Sequence, residues 1–254
     1  MTIQIGVSGK GGTGKTTLLS LILKDLLLRG EDDIFVLDGD PDSNMPDILG
    51  INPPGTLADI TDALREKIGA STTSPLMAKD RYLEGELFRI ISEQNGYDLL
   101  VTGSVEKQGC FCVINSQLKV IIDRFANQYK YTILDLPAGL EHLNRRVIRD
   151  IDVLFVISDA SRMGITTIGR IIKLTKKLQI KVKRLVLIGN RSRNGTLEKM
   201  LKEVAEENRV EYGGVLPYDS EIEELNLLGP TILNIKESNP TLQIVHELVE
   251  KYLN

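Results

Sequence analysis

The sequence lacks any hydrophobic run that approaches the roughly 20 residues needed to span a bilayer. It also lacks an excess of positive charge, since 31 Lys and Arg stand against 35 Asp and Glu and the formal net charge is −4. This balance argues against a protein whose main task is nonspecific binding of nucleic acid or anionic lipid. The first predicted strand begins almost at once and leaves no room for a signal peptide, so we expect a cytoplasmic protein.

Cysteine and histidine, the usual ligands of soft metals, are scarce, with two residues of each. A disulfide between Cys110 and Cys112 would close a small strained ring, so the pair suggests metal ligation or redox exchange. Two thiolates do not complete a four-donor site, although two incidental thiols near a helix start remain the alternative. His142 is interpreted as a switch-segment or packing residue because no second donor is spaced near it, and His246 as a structural residue.

A glycine-rich loop near the N-terminus fits the phosphate-loop pattern G-x-x-x-x-G-K-[ST]. An apolar strand precedes the loop, and an apolar helix over Leu18 to Leu28 follows it, which is the context that the pattern requires. In this reading Lys15 neutralises the β- and γ-phosphates, and the Thr16 hydroxyl binds Mg²⁺. An ordinary Gly-rich turn is the alternative. The residues predicted to contact the nucleotide here are Gly9, Gly11, Gly12, Thr13, Gly14, Lys15, Thr16 and Thr17.

Lys10 adds a second lysine to this loop, on its open side. In this respect the loop resembles that of the deviant Walker A ATPases, which include partition, division-site and metal-cluster accessory ATPases. The resemblance implies that Lys10 crosses a dimer interface and contacts the partner's ATP, as an arginine finger does elsewhere. A solvated loop lysine is the alternative reading of Lys10.

Apolar runs that are typical of buried parallel strands recur along the chain. Together with the intervening helical patterns they predict an α/β fold, a doubly wound and mainly parallel sheet flanked by helices, with ligands at the carboxyl ends of the strands. We expect one domain over residues 1–254, with a helical and loop insertion around 51–94 that includes a helix over Leu57 to Ile68. The predicted strands are Ile3 to Ser8, Ile34 to Asp38, Leu99 to Thr102, Thr132 to Leu136, Val153 to Ser158, Leu185 to Gly189 and, more weakly, Gly214 to Leu216.

Carboxylates follow two of these strands and predict a site for Mg²⁺ and for the attacking water. The family resemblance places Asp38 near the Mg²⁺ shell and makes Asp40 the residue that orients the water, while Asp42 is equally well explained as a turn residue. Asp135 ends its strand as a Walker B aspartate would, and a lone capping aspartate at a buried strand end is the alternative. Gly139 then follows in the switch loop, where its backbone N–H would approach the γ-phosphate.

The strand that ends at Gly189 leads into Asn190-Arg191-Ser192-Arg193, where a GTPase would carry N-K-x-D. Arg193 cannot accept the two guanine protons because guanidinium has no acceptor. Asn190 suits the amino group and ring nitrogen of adenine, so ATP is favoured, although an asparagine at this place is also a common turn residue.

The motifs together resemble the accessory ATPases that assist nickel insertion into carbon monoxide dehydrogenase. The resemblance implies an ATP-dependent homodimer that hydrolyses ATP, holds Ni²⁺ or Zn²⁺ between the Cys110 and Cys112 pairs of two subunits, and delivers nickel to the dehydrogenase or another nickel enzyme. It also places Pro217 at the nucleotide, and it implies neither a nucleic-acid nor a membrane partner. The segments that carry it are Gly9 to Thr17, Asp38 to Ser43, Cys110 to Cys112, Ala138 to Leu143 and Leu216 to Tyr218.

Two other functions remain open at this point. A partition or positioning ATPase would bind DNA or a membrane, but the basic stretch Lys173 to Arg184 is better explained as a solvated helix end that leads into a strand. The terminal helix over Leu242 to Leu253 also lacks the cationic face of a membrane anchor. A thiol-based redox regulator would use the cysteine pair as a switch.

Overall fold

The computed structural model describes residues 2–69, 76–104, 112–137, 150–177, 180–192 and 195–253, and for residues 65–69, 76–80 and 112–116 it describes the backbone alone. Cys110, Gly139 and His142 therefore lie outside the described residues, and of Cys112 only the backbone is described.

Within these ranges the chain alternates strands and helices in the order that the apolar pattern predicts. The strands are β1 (Ile3–Gly9), β2 (Ile34–Asp38), β3 (Ser92–Gln94), β4 (Tyr97–Val101), β5 (Tyr131–Leu136), β6 (Asp150–Ser158), β7 (Lys181–Ser192) and β8 (Glu211–Pro217). The α-helices are α1 (Lys15–Leu28), α2 (Met45–Leu49), α3 (Leu57–Gly69), α4 (Leu76–Ile90), α5 (Cys112–Ala126), α6 (Arg162–Lys177), α7 (Thr196–Asn208), α8 (Ser220–Leu228) and α9 (Pro240–Leu253), with a 3₁₀ turn at Ile232–Asn234.

The strands form one eight-stranded sheet in the order β3-β4-β2-β5-β1-β6-β7-β8. Every neighbouring pair is parallel except β3 and β4. β1 lies between β5 and β6. The strands β2 to β5 lie on one side of β1, and β6 to β8 lie on the other, so the strand order changes direction beside β1. Ligands of doubly wound sheets bind at this position.

Successive strand residues point to opposite faces of the sheet, and helices bury both faces. On β2, Ile34 and Val36 join the core beneath α1 and α9, whereas Phe35 and Leu37 join the core beneath the helices of the other face. Because both faces are covered, β2 is buried along its whole length and carries apolar residues up to Asp38. A carboxylate at the end of such a strand therefore lies at the carboxyl edge of the sheet, where ligands of this fold bind.

The predicted α/β fold is confirmed, and each predicted strand overlaps an observed strand. The helix predicted over Leu57 to Ile68 is α3, and the terminal helix is α9. The basic stretch proves to be the end of α6 and the start of β7, as expected. The sequence analysis did not single out β3, α2, α4, α8 or the 3₁₀ turn. No helix in the described ranges is both long and apolar enough to cross a membrane.

Candidate functional site

The phosphate-loop residues form the connection from β1 to the first turn of α1. Gly12 and Gly14 have φ angles of 79° and 94°, in the left-handed region that favours glycine. Gly9 is required for another reason, since a Cβ added there would lie 2.3 Å from the carbonyl oxygen of Ile157 on β6. The loop is closed by the Thr13 hydroxyl, which donates to the Lys10 carbonyl oxygen at 2.7 Å. The glycines thus allow the tight approach of this loop to the sheet.

The N-terminus of α1 is left open at the end of this loop. No side chain caps it, and no acidic residue occupies its first turn. Free backbone N–H groups and the positive end of the helix dipole make such a terminus attractive to an anion. Lys15 and Thr16 begin the helix and are only 8% and 9% exposed, so a phosphate bound here would meet a cation, a hydroxyl and unpaired amides together.

Lys15 forms an ion pair with Asp40, in the loop after β2. The Lys15 Nζ lies 3.1 Å from the Asp40 Oδ2, and both side chains are nearly buried. The other oxygen, Asp40 Oδ1, accepts the backbone N–H of Asp42 at 3.2 Å. Asp42 itself is exposed in the turn, which fits its interpretation as a turn residue. Asp40 therefore holds the lysine side chain beside the phosphate loop.

Asp38 shapes the loop that carries Asp40. Its two carboxylate oxygens accept the backbone N–H groups of Asp40 and Met45, each at 3.1 Å. Burial, with a smaller contribution from the nearby negative charge of Asp135, raises the pKa of Asp38 to about 7. The carboxylate thus links the end of β2 to the start of α2 in an environment that disfavours its charge.

Asp135 lies at the end of β5 and accepts a hydrogen bond from Thr16. The Thr16 hydroxyl donates to its Oδ2 at 2.7 Å, whereas its buried Oδ1 has no hydrogen-bond partner. Burial raises the pKa of Asp135 to about 6, against the opposing effects of Thr16 and Lys15.

Asp38, Asp40 and Asp135 bring three carboxyl groups to this edge of the sheet, and of these only Asp40 forms an ion pair with Lys15. An orphaned carboxylate oxygen beside a threonine hydroxyl suits a hard divalent cation such as Mg²⁺, because that ion takes oxygen donors and would offset the excess charge.

Asn190, near the end of β7, is hydrogen-bonded to the phosphate loop. Its side-chain amide donates to the Thr13 carbonyl oxygen at 2.8 Å, and its Oδ1 accepts the backbone N–H of Arg191 at 2.9 Å. A Cβ at Gly14 would lie 2.3 Å from the Asn190 amide nitrogen. This contact to the loop was not foreseen from the sequence, because it depends on how β7 is placed against β1.

A pocket beside this asparagine brings together residues that are distant in sequence. Thr17, Asn190 and Pro217, which the sequence analysis assigns to the nucleotide, all line it. Tyr218, which follows β8, also lines it, as do Ile222 and Asn226 of α8. The pocket adjoins the phosphate loop and is lined by both apolar and amide groups.

Lys10 is partly exposed and lies near the end of β6. Asp159 follows that strand, and although burial raises its pKa, hydrogen bonds from Ser161 and the positive charge of Lys10 hold it below its usual value. Asp159 was missed by the sequence analysis. The signal that could have found it is the one used for Asp38 and Asp135, a carboxylate directly after a buried parallel strand.

β4 precedes the cysteine pair in the sequence and ends at this edge of the sheet. β4 ends beside β2, with Val101 paired to Asp38, and the Thr102 N–H donates to the Asp38 carbonyl oxygen at 2.9 Å. Cys112 begins α5 shortly afterwards. Among the described residues, no group of three or more His, Cys, Asp and Glu is placed to hold a metal ion.

His246 lies in α9, and its Nδ1 is 2.8 Å from the Oδ1 of the buried Asp25, as expected of a structural residue.

Comparisons with known proteins agree with this geometry. The family model for the CobQ/CobB/MinD/ParA nucleotide binding domain matches residues 5–231. An uncharacterized ATP-binding protein of Methanocaldococcus jannaschii is 39% identical over 250 residues, which cover 98% of each chain. The carbon monoxide dehydrogenase accessory protein CooC of Rhodospirillum rubrum is 27% identical over 70% of this chain and 71% of its own. The cell division ATPase MinD of Pyrococcus furiosus superimposes with a TM-score of 0.68 at 22% identity, over 99% of both chains.

Proposed function

The chain belongs to the family of CobQ/CobB/MinD/ParA nucleotide-binding domains, and from this premise we propose that it is an ATP-hydrolysing metallochaperone that acts as a homodimer. The observation that supports hydrolysis most directly is the convergence of Lys15, Thr16, Asp40 and Asp135 at one strand edge. These residues come from three separate segments, and each suits a distinct step of phosphoryl transfer to water.

In this proposal the residues of the chain exchange partners when the nucleotide binds. Lys15 leaves Asp40 for the β- and γ-phosphates, which carry more negative charge than one carboxylate. Asp40 is then free to orient a water molecule for attack on the γ-phosphorus. Thr16 and Asp135 would hold Mg²⁺, with Asp38 close by, and that ion would supply charge neutralisation between the β- and γ-phosphates. Gly139 would offer its N–H to the γ-phosphate, so that hydrolysis changes the loop after β5.

Adenine would occupy the pocket beside Asn190. One amide hydrogen of Asn190 is used by the Thr13 carbonyl, which leaves the second hydrogen and an oxygen lone pair for the base. Pro217 lines the same pocket, and its backbone carbonyl oxygen would accept a hydrogen bond from the amino group of adenine.

Dimerisation follows in this proposal from Lys10, which would reach the phosphates of the partner's ATP. The four sulfurs of two Cys110 and Cys112 pairs would then meet about the twofold axis and hold one Ni²⁺ or Zn²⁺ as cargo. One feature supports this cargo, which is the similarity to CooC, a carbon monoxide dehydrogenase accessory protein. The client would be carbon monoxide dehydrogenase or another nickel enzyme.

Size-exclusion chromatography combined with metal analysis tests this proposal, with no nucleotide, with ADP and with ATP. The unmodified chain is expected to elute as a dimer with ATP and to carry one Ni²⁺ or Zn²⁺ per dimer. A Cys110→Ser, Cys112→Ser variant should lose the ion, while Lys10→Ala should bind ATP, stay monomeric and hydrolyse slowly. A metal-free chain in every nucleotide state would disprove the metallochaperone function. Unchanged dimerisation of Lys10→Ala would disprove its bridging role.

A positioning or partition ATPase is the second candidate, because the matching family model includes MinD and ParA. It shares the ATP site and the dimer but requires no cargo ion. Nucleotide-dependent dimerisation without metal, accompanied by binding to DNA or to vesicles, would favour this function over the first.

A further inference from the structure

Helix α6 has an exposed face that carries only positive charges. Five basic residues lie on its solvent side, and its sequence contains no Asp or Glu. These residues, here called the basic face of α6, are Arg162, Arg170, Lys173, Lys176 and Lys177. The opposite side of the helix is apolar and buries Ile168, Ile171 and Ile172 against the sheet. The charges therefore occupy one strip about 24 Å long, given the rise of an α-helix.

The basic face is not neutralised within the described residues, whereas two cations near the start of β7 are paired with carboxylates. On β7, Lys183 lies 2.5 Å from Asp152 and Arg184 lies 2.8 Å from Glu211. None of the five cations of α6 forms a comparable pair with any acidic side chain that the structure describes. Five unpaired like charges on one helix repel one another, and a negatively charged partner would relieve this repulsion.

The surroundings of the basic face distinguish between kinds of anionic partner. Helix α7 packs beside α6 on the same face of the sheet and exposes Glu203, Glu206 and Glu207. Lys199 and Lys202 are exposed on the same helix, so its solvent side carries a net negative rather than a uniform charge. An extended polyphosphate that followed α6 would meet these carboxylates at its edge. A protein segment as narrow as a single helix would contact the cations alone. Met163, which is 54% exposed next to Arg162, adds an apolar contact of the kind that protein interfaces use.

We propose that the basic face of α6 is a docking surface for an acidic helical segment of a partner protein. The partner is defined by Glu or Asp spaced along one helix face, opposite the cations of α6. Long-range attraction would steer the encounter, and salt would weaken it. Neither ATP hydrolysis nor a bound metal is required, so this surface can be tested whatever the outcome for the proposed function.

The test uses a fluorescent, Ala-rich helical peptide of about 20 residues with Glu on one face, measured by anisotropy at low salt. A second peptide with Lys in place of Glu and a duplex DNA of about 20 base pairs serve as comparison ligands. The acidic peptide is expected to bind, and its affinity should fall as salt rises. Lys173→Glu should weaken binding by about threefold or more, since reversal replaces attraction with repulsion.

Lys24→Glu is the matched control. It changes the net charge equally but lies on α1, which packs against the opposite face of the sheet. The affinity of the Lys24→Glu variant for the acidic peptide should stay within about twofold of the affinity of the unmodified chain. The proposal is overturned if the acidic peptide does not bind at low salt. It is also overturned if Lys24→Glu weakens binding as much as Lys173→Glu does, or if the duplex DNA binds more tightly than the acidic peptide.

Discussion

At the scale of single residues, the candidate site is defined by an imbalance of charge. Asp38 and Asp135 both have raised pKa values, chiefly because burial disfavours their ionised forms. The Lys15 ion pair is formed with Asp40, and the Asp135 Oδ1 has no partner. Such an arrangement costs stability in the free chain and becomes favourable when a cation arrives, as expected of a binding site rather than of a structural network.

This imbalance predicts the pH dependence of stability in the nucleotide-free chain. Because the folded pKa values of Asp38 and Asp135 lie above the usual 3.8, the folded state binds protons that the unfolded state has released. Stability should therefore fall as pH rises from about 4 through 6 and 7, and then level off as far as these groups determine it. Asp135→Asn should flatten this dependence and raise stability near pH 8 by on the order of 2 kcal/mol.

Urea unfolding with a metal chelator at about pH 5.5 and pH 8 measures this effect. Asp42→Asn is the control, since Asp42 is exposed in its turn and should behave like the unmodified chain. A loss of stability in Asp135→Asn at the higher pH would show that the hydrogen bond from Thr16 outweighs the cost of burying the charge.

At the scale of elements, the first helix is anchored at both ends by different means. Its N-terminus is open at the phosphate loop, whereas its C-terminal half is fixed to α9 by a buried carboxylate. Asp25, which is 2% exposed, accepts from the Arg29 Nε at 2.7 Å and contacts the His246 Nδ1 at 2.8 Å. Arg29 also donates to the His246 carbonyl oxygen at 3.1 Å. These contacts hold α1 in place, so that its other end is positioned for the ligand.

Removal of this anchor should destabilise the chain. Asp25→Ala leaves Arg29 and His246 without their acceptor. Because both side chains can still reach water, the free energy of unfolding should fall by about 2 kcal/mol, which is less than for a fully buried ion pair. Chemical denaturation measures it. Glu250→Ala is the control, because its exposed carboxylate is 3.5 Å from the His246 Nε2 and should contribute less than about 0.5 kcal/mol. Equal losses in the two variants would contradict a special role for Asp25.

The elements also show where sequence patterns are informative. Buried parallel strands such as β2 and β5 are continuous apolar runs that end in a carboxylate, and they were predicted closely. The edge strand β3 was missed, because it has only three residues, all of them polar, and depends on pairing with β4. Its one local signal is Asn95-Gly96, a hairpin turn dipeptide in which Gly96 has a φ of 88°.

At the scale of the whole molecule, ligand binding should stabilise the fold because the site joins several strands. Mg²⁺ and ATP at about 100 times the dissociation constant would add about 2.7 kcal/mol. For a chain of this size that corresponds to a rise in melting temperature of roughly 5 to 10 °C. Differential scanning calorimetry measures it.

Lys15→Ala should lose this shift, and ATP with a chelator should give a smaller one. A shift of the same size without divalent cation would argue against metal binding by Thr16 and Asp135.

The sequence by itself determined the local chemistry: the glycine loop, the lysines, and the aspartates after buried strands. It could do so because a phosphate loop and a buried strand are contiguous segments whose physical requirements are local. Only the tertiary structure decided the strand order, which places β1 between β5 and β6 and so brings Thr16 to Asp135, Lys15 to Asp40 and Asn190 to the Thr13 carbonyl. These contacts join residues from 25 to 177 positions apart, and long-range packing rather than local pattern selects them.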